Sequence, residues 1–241
     1  MAIYTSKTRI DLEDVGYSNK ITNKAILKIL ENAGARQSET IHFGLNDMEN
    51  VGFSWILLGW KVKILKRPIY NEELTINTWG RDSNRIFTYR DYEIYDESGE
   101  LCTIATSKWA IVDINTGKLR ELTPEIIEKY QCETKKVFKE DYTLKLKEPA
   151  TIIRKQEYKA QRRDIDINKH IHNLYYLDYA YEALPEEVYE APECNNIEIM
   201  YKKQIRLNDE FKCLYTKEEN QNIVTMKSED ENTLHAIIKL Y

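Results

Sequence analysis

Ile26, Ile29, Leu30 and Ala33 fall at i, i+3, i+4 and i+7, the spacing of a helix with one apolar face. Past a loop near 46–52 the period drops from 3.6 to 2. Trp60, Val62 and Ile64 alternate with Lys61 and Lys63, as in a half-buried strand. Residues 74–79, 86–95 and 101–112 are further strand candidates. The turn signals Asp96-Glu-Ser-Gly99 and Asn115-Thr-Gly117 between them predict antiparallel hairpins. Thr123-Pro124-Glu125 opens a short helix to about Tyr130: a capping hydroxyl, a proline in the first turn and an acid at the positive end. Residues 135–149 are charged and weakly patterned and are expected to link two halves. A second helical stripe follows at Leu174, Leu177, Tyr181 and Leu184. Strand candidates then lie at 197–206, 211–216, 223–227 and 233–240, with turns at Asn208-Asp209 and Asn220-Gln-Asn222.

The two halves read as copies. Residues 14–23 and 164–173 align without a gap at an offset of 150, each running into its helix, and Ala33 matches Ala183. Downstream, Asn71-Glu-Glu-Leu74 resembles Asn208-Asp-Glu-Phe211. Each half is therefore one helix followed by an antiparallel sheet, an α+β arrangement in which a sheet face packs on a helix. The expected division is 1–134, a linker at 135–149, and 150–241.

Composition narrows the class. The 241 residues carry a net charge of −5 with 42% hydrophobic and 31% charged positions, values of an ordinary globular chain. Only 8 Gly and 5 Pro exclude a low-complexity sequence. The N-terminus lacks the apolar core of a signal peptide, and no run approaches the ~20 apolar residues of a membrane span. A cytoplasmic location is expected, with Cys102, Cys132, Cys194 and Cys213 as reduced thiols. The acidic balance argues against a nucleic-acid partner.

Asp164-Ile-Asp-Ile-Asn-Lys-His-Ile-His172 concentrates two of the chain's 4 histidines with two carboxylates and an amide. In an extended segment Asp164, Asp166, Asn168, His170 and His172 share one face, and Ile165, Ile167 and Ile171 anchor the other in the core. Such a polar set is costly beside a core unless it has a purpose. The first copy is an internal control: it has Gly16, Ser18 and Lys20 where the second has Asp166, Asn168 and His170. Ser18 can cap a helix as well as Asn168, so capping alone does not explain the difference. Calcium is disfavoured, because Lys169 stands where an EF-hand loop needs Gly and Tyr175 where it needs Glu. His170-x-His172 lacks a third zinc ligand at a recognisable spacing. A hydrogen-bonded cap without activity stays open at this point.

The string Asp166-x-Asn168-x-His170-x-x-Asn173-x-x-Tyr176 resembles the signature of the acyl-ACP thioesterases. Trp55-Ile-Leu-Leu, Pro68, Thr78-Trp79, Arg90-Asp91-Tyr92, Gly99 and Ala105-Thr-Ser-Lys-Trp109 are similar to that family's N-terminal block, in the same order. The resemblance covers about residues 5 to 216. It implies a tandem double hot-dog fold, two long helices each wrapped by an antiparallel sheet. It also implies hydrolysis of fatty acyl thioesters of acyl carrier protein, with an acyl-CoA hydrolase or a non-catalytic acyl-binding protein as alternatives. No metal or cofactor is expected, and the chain is expected to act as a monomer or homodimer.

Thioester hydrolysis needs an activated water, and an imidazole with an ordinary pKa of roughly 6.5 suits that task. His170 is the candidate base. Asp166 is a candidate to orient it or hold the water, and Asn168 to fix the water or the carbonyl. The amides where the helix starts near His172 and Asn173 are candidates to hold the oxyanion. Family members often carry Glu, and some plant ones Cys just after it, on the strand after the second helix. Here Gln204 and Ile205 stand there. Glutamine is neither base nor nucleophile, but it can hydrogen-bond a water. The resemblance further places the acyl chain in the N-terminal half, against Trp55, Leu57, Trp79 and Trp109. It makes Arg162, Arg163, Lys169, Lys202, Lys203 and Arg206 candidates for docking the acidic carrier.

Overall fold

The computed structural model describes residues 3–81, 84–140 and 144–241. It divides into two compact units, Met1–Thr143 and Leu144–Tyr241. Residues 141–143, inside the expected linker, lie outside the described residues.

The first unit contains β1 (Tyr4–Arg9), α1 (Asn23–Thr40), a single turn α2 (Met48–Val51), β2 (Phe53–Ile64), β3 (Glu73–Gly80), β4 (Thr88–Tyr95), β5 (Leu101–Asp113), β6 (Leu119–Arg120) and α3 (Pro124–Tyr130). The second contains β7 (Arg154–Lys159), α4 (Asn173–Glu182), a single turn α5 (Glu186–Tyr189), β8 (Asn196–Tyr201), β9 (Glu210–Glu218), β10 (Gln221–Ser228) and β11 (Leu234–Leu240). Among the described residues the strands of each unit pair antiparallel, and one isolated parallel bridge joins Arg81 to Glu133. The strand order is β1-β3-β4-β5-β2 in the first, with β6 added to β5, and β7-β9-β10-β11-β8 in the second. The five main strands share one topology, with β6 and α3 as additions of the first unit. The register is the same too: Tyr4 pairs with Thr78 as Arg154 pairs with Tyr215, shifts of 150 and 137 residues.

The edge strands β1 and β7 escape the periodicity analysis, because polar and charged side chains dominate both. Strand β2 is twice the expected length. A bulge between Leu57 and Gly59 shifts the alternation by one, so Trp55 and Leu57 share a face with Trp60, Val62 and Ile64. Strand β8 is shorter than expected and stops at Tyr201. After it the Lys202 N–H bonds the His235 carbonyl at 2.8 Å, and the chain leaves the ladder. The second helix also differs from its expected stripe. Tyr176, Leu177 and Ala180 form its buried face, and Leu184 lies beyond its end.

Helix α1 buries Ile26, Ile29, Leu30 and Ala33, as its spacing predicts. Its Gly34 allows close approach to the sheet: a Cβ there would come within 2.9 Å of the Tyr92 hydroxyl. The face carrying Tyr92, Arg90, Leu57 and Trp109 is thus the inner one. The outer face of this sheet is also covered around Trp79, Asp91 and Glu93. Residues 133–138, partly within the segment expected to be linker, run over it. Val137 N–H donates to Asp91 Oδ2 at 3.0 Å, and the Thr106 hydroxyl donates to Oδ1 at 2.7 Å. Lys135 pairs with Glu93 at 2.7 Å. Asp91 is fully buried, so both carboxylate oxygens are satisfied by donors. Asp91→Asn turns one of those oxygens into a donor facing a donor. It should cost about 1–3 kcal/mol, visible as a lowered thermal midpoint.

Candidate active site

Asp166 to His170 is a tight hairpin, not an extended strand. Ile165 and Ile171 bridge its base. The Asp166 N–H donates to the His170 carbonyl at 2.9 Å, and the Lys169 N–H to the Asp166 carbonyl at 3.0 Å. Lys169 takes a left-handed conformation at φ 63° to close the turn. The expected common face of five polar side chains is therefore corrected. Asp164 is withdrawn into the protein, where it accepts the Gln161 N–H at 2.8 Å and the Tyr179 hydroxyl at 2.6 Å. His172 caps α4, its Nδ1 accepting the Leu174 N–H at 3.3 Å. Ile167 anchors nothing: it is 68% exposed at the tip.

Folding the segment back brings Asp166, Asn168 and His170 together around one carboxylate. Asp166 Oδ1 accepts the Asn168 N–H at 2.8 Å and lies 3.6 Å from His170 Nδ1, while Oδ2 faces the Asn168 amide nitrogen at 3.5 Å. His170 Nδ1 is also 3.2 Å from the Ile171 carbonyl. With two acceptors beside it, Nδ1 is the nitrogen assigned the proton, which leaves the lone pair on Nε2. The Asp166 and His170 side chains are 14% and 22% exposed, open enough to meet water and sheltered enough for their interaction to count.

A third segment completes the arrangement; periodicity reads it as strand, and the family resemblance alone singles out Gln204 within it. The Ile171 N–H donates to the Ile205 carbonyl at 2.8 Å, and His170 bridges Arg206. Gln204, exposed and outside any strand, is the residue just before. His235 holds this segment from the other side, its Nδ1 2.9 Å from the Lys203 carbonyl.

The first unit repeats the scaffold without the chemistry. Val15 and Ile21 bridge its hairpin, Asn19 at φ 58° stands for Lys169, and the Ile21 N–H bonds the Pro68 carbonyl at 2.9 Å. Lys20 bridges Ile69 as His170 bridges Arg206. The counterpart of Gln204 is Arg67. Its guanidinium donates to the Ile21 carbonyl at 2.9 Å and to Asn23 Oδ1 at 2.7 Å, filling the space beside the hairpin.

The other expected residues are distributed as follows. Leu57 is buried, and Trp55 and Trp109 are half-buried, all on the inner face of the first sheet. The Trp55 ring stands edge-on to Tyr130 at 5.6 Å, and Trp109 Nε1 donates to Ser107 at 2.6 Å. Trp79 is elsewhere: it lies on the outer face, its Nε1 donating to the Lys135 carbonyl at 3.0 Å. Asn173 is the first residue of α4, and its carbonyl accepts the Tyr201 hydroxyl at 3.1 Å. Arg162, Arg163, Lys169, Lys202, Lys203 and Arg206 are all exposed. Among the described residues, Arg163 alone of the six has its side-chain charge within ion-pair reach of a carboxylate, 3.7 Å from Asp164, while the Arg206 backbone N–H donates to Asp209 Oδ2 at 2.8 Å. No three His, Cys, Asp or Glu side chains among the described residues are grouped to hold a metal ion. No helix among them is long and apolar enough to cross a membrane.

Two units of one topology, each a sheet on a helix, define a double hot-dog fold. Known proteins agree. The acyl-ACP thioesterase N-terminal domain family matches residues 1–130, and the corresponding C-terminal domain family matches 147–239. The chain belongs to the acyl-ACP thioesterase family. It is 25% identical over 238 residues to oleoyl-acyl carrier protein thioesterase 2, chloroplastic, of Arabidopsis thaliana, covering 92% of this chain and 65% of the relative. The Coriandrum sativum oleoyl-acyl carrier protein thioesterase is also 25% identical, with 93% and 65% covered. The chain thus spans just under two thirds of these plant relatives. Among solved structures, an acyl-ACP thioesterase from Bacteroides thetaiotaomicron superposes with a TM-score of 0.87 at 22% identity, covering 99% of this chain and 97% of that one. The 12:0-ACP thioesterase from Umbellularia californica gives 0.86 at 16% identity, covering 100% and 96%.

Burial holds the His235 imidazole below its ordinary pKa of 6.5, against the opposing pull of the Lys203 carbonyl. The unfolded chain takes up this proton near 6.5 and the folded chain resists it. Between 6.5 and the lower folded value the unfolded state binds more protons, so stability falls as pH falls. The thermal midpoint should therefore drop from pH 7.5 to 5.5 by more in the native chain than in His235→Gln, compared by calorimetry.

Proposed function

We propose that this chain hydrolyses fatty acyl thioesters of acyl carrier protein, releasing a free fatty acid and the carrier thiol. The observation that carries this reading is the Asp166–Asn168–His170 cluster, built on a hairpin whose twin in the first unit keeps the backbone and lacks all three groups. Membership of the family supports it, as does the substrate in its relatives' names.

Each group has a role in the reaction. His170 Nε2 takes a proton from water as the water oxygen attacks the thioester carbon. Asp166 holds Nδ1–H in place and stabilises the imidazolium that forms. Asn168, or the amide of Gln204, holds the water or carbonyl by hydrogen bonds. The tetrahedral oxyanion then collapses, the C–S bond breaks, and the sulfur leaves with the proton from His170. A thiol of ordinary pKa, about 8.5, is a good enough leaving group for water activation to be the demanding step. The N-terminal unit receives the acyl chain along its inner face at Trp55, Leu57 and Trp109. The exposed cations Arg162, Lys169, Lys202, Lys203 and Arg206 steer the acidic carrier to the hairpin. Carrier-bound acyl chains are intermediates of fatty acid biosynthesis, which sets the pathway.

A panel of acyl-carrier and acyl-CoA thioesters of matched chain lengths tests the assignment. Carrier substrates should give the higher kcat/KM, and Asp166→Asn or His170→Ala should lower it by about 10²–10⁴-fold, the usual worth of a general base. Turnover that survives both substitutions would remove the assignment. Lys202→Glu with Lys203→Glu should raise KM for carrier substrates with kcat preserved and weaken the salt dependence of kcat/KM. A KM that does not move would count against the docking role.

A further inference from the structure

Tyr176 is 3% exposed, and burial pushes its hydroxyl up to about 12, so it is protonated throughout the working pH range. Its oxygen accepts the Ile205 N–H at 3.1 Å. Ile205 is itself fully buried, so without that acceptor its N–H has no water to turn to. On its other side the Ile205 carbonyl accepts the Ile171 N–H at 2.8 Å. One residue is thus clamped between helix α4 and the catalytic hairpin, and Gln204 and Arg206 flank it. The Tyr176 ring is fixed in turn, edge-on to Tyr201 at 5.4 Å, and the Tyr201 hydroxyl bonds the Asn173 carbonyl at 3.1 Å.

The first unit shows what the scaffold needs without chemistry. The register places Ile26 opposite Tyr176 and Pro68 opposite Ile205. Ile26 has no hydroxyl and Pro68 has no N–H, so donor and acceptor are missing together. The hairpin contact persists nonetheless, with Ile21 N–H to Pro68 carbonyl at 2.9 Å. Tyr201 likewise corresponds to the apolar Ile64. The fold closes without this polar clamp. Only the copy carrying Asp166 and His170 has it.

We infer that Tyr176 is a positioning residue for the hydrolytic site, fixing the segment that carries Gln204 against the His170 hairpin through the Ile205 N–H. Tyr176 never touches the thioester. It sets where the Gln204 amide stands relative to the His170 ring. This rests on the hydrolytic reading above.

A double-mutant cycle with Tyr176→Phe and Gln204→Ala tests it, using the acyl-carrier thioester that the native chain turns over fastest. Tyr176→Phe should lower kcat about tenfold, the rate equivalent of one hydrogen bond near 1.4 kcal/mol. KM should stay within about twofold, and the thermal midpoint should shift by only a few degrees. In the Gln204→Ala background the same change should cost little more, because both act through one segment. Independent, multiplying losses overturn the inference, as does an unchanged kcat or a loss confined to stability. Should Tyr176→Phe unfold, Ile205→Pro replaces it, removing the N–H and installing the first copy's residue. Asp166→Asn run alongside separates the two readings. If it leaves turnover intact, the site is misassigned. If it abolishes turnover while Tyr176→Phe does not slow it, only the clamp is lost.

Discussion

The bond from the Ile171 N–H to the Ile205 carbonyl, 2.8 Å long, ties down the hairpin that carries Asp166, Asn168 and His170. A five-residue hairpin has few internal contacts, and its tip faces solvent. Left alone, it would sample many positions relative to the sheet. The pairing of residues 170–171 with 205–206 ties it to a chain that has just left β8, and that chain is tied to β11 at His235. The main chain of His170 is therefore placed by backbone bonds, and the Asp166 carboxylate and Ile171 carbonyl orient its ring. A rigid frame of this kind positions catalytic groups at little entropic cost during reaction.

The duplication shows how such a frame is reused. Both units keep the hairpin, its left-handed fourth residue and the same backbone bonds to the adjoining segment. They differ in what fills the space beside it. In the first unit Arg67 reaches the Ile21 carbonyl and Asn23, occupying that space with a guanidinium. Gln204 in the second is shorter and lacks the charge. The first hairpin is thus structurally complete without the carboxylate, amide and imidazole of the second. Its tip still presents Tyr17, 87% exposed, where the second presents Ile167. Exposure at this position comes from hairpin geometry and not from either residue's polarity.

Much of this was legible in the sequence, for identifiable reasons. The ten-residue repeat and the helix stripe at Ile26–Ala33 are local and periodic, so the duplication and first helix followed directly. The strands of both sheets were also found, at least in part, apart from the two-residue β6 and the edge strands β1 and β7, whose polar outer edges carry no alternating apolar signal. Other features depend on contacts between residues distant in sequence. The bulge in β2 conceals half a strand, because alternation is read as broken where it is only shifted. The Asp166 hairpin was misread as extended because period-2 polarity fits both, and only the left-handed turn at Lys169 decides between them. Clustering of Asp166, Asn168 and His170 held under either reading, since residues two apart in a tight turn also converge. The sealing of Trp79 under residues 133–138 had no local signature at all.

The charge distribution bears on the docking proposed for this hairpin. The chain is acidic overall, with a net charge of −5, which by itself repels an acidic carrier. Yet many lysines remote from the hairpin are neutralised where they stand. Lys7 pairs with Glu73, Lys66 with Asp96 and Glu100, Lys155 with Glu231 and Lys227 with Glu148. Exposed pairs like these add little stability. Their consequence lies in the field, since a paired lysine contributes almost nothing beyond a Debye length of about 8 Å at physiological salt. Lys169, Lys202, Lys203 and Arg206 have no such partners among the described residues, and they adjoin the hairpin and the segment paired with it. Carboxylates stand among them as well: Asp166 lies in the same hairpin, and Asp209 Oδ2 accepts the Arg206 N–H at 2.8 Å. Under the proposed function these exposed cations are the groups that meet an anionic carrier, while the backbone bonds set the geometry of the hairpin.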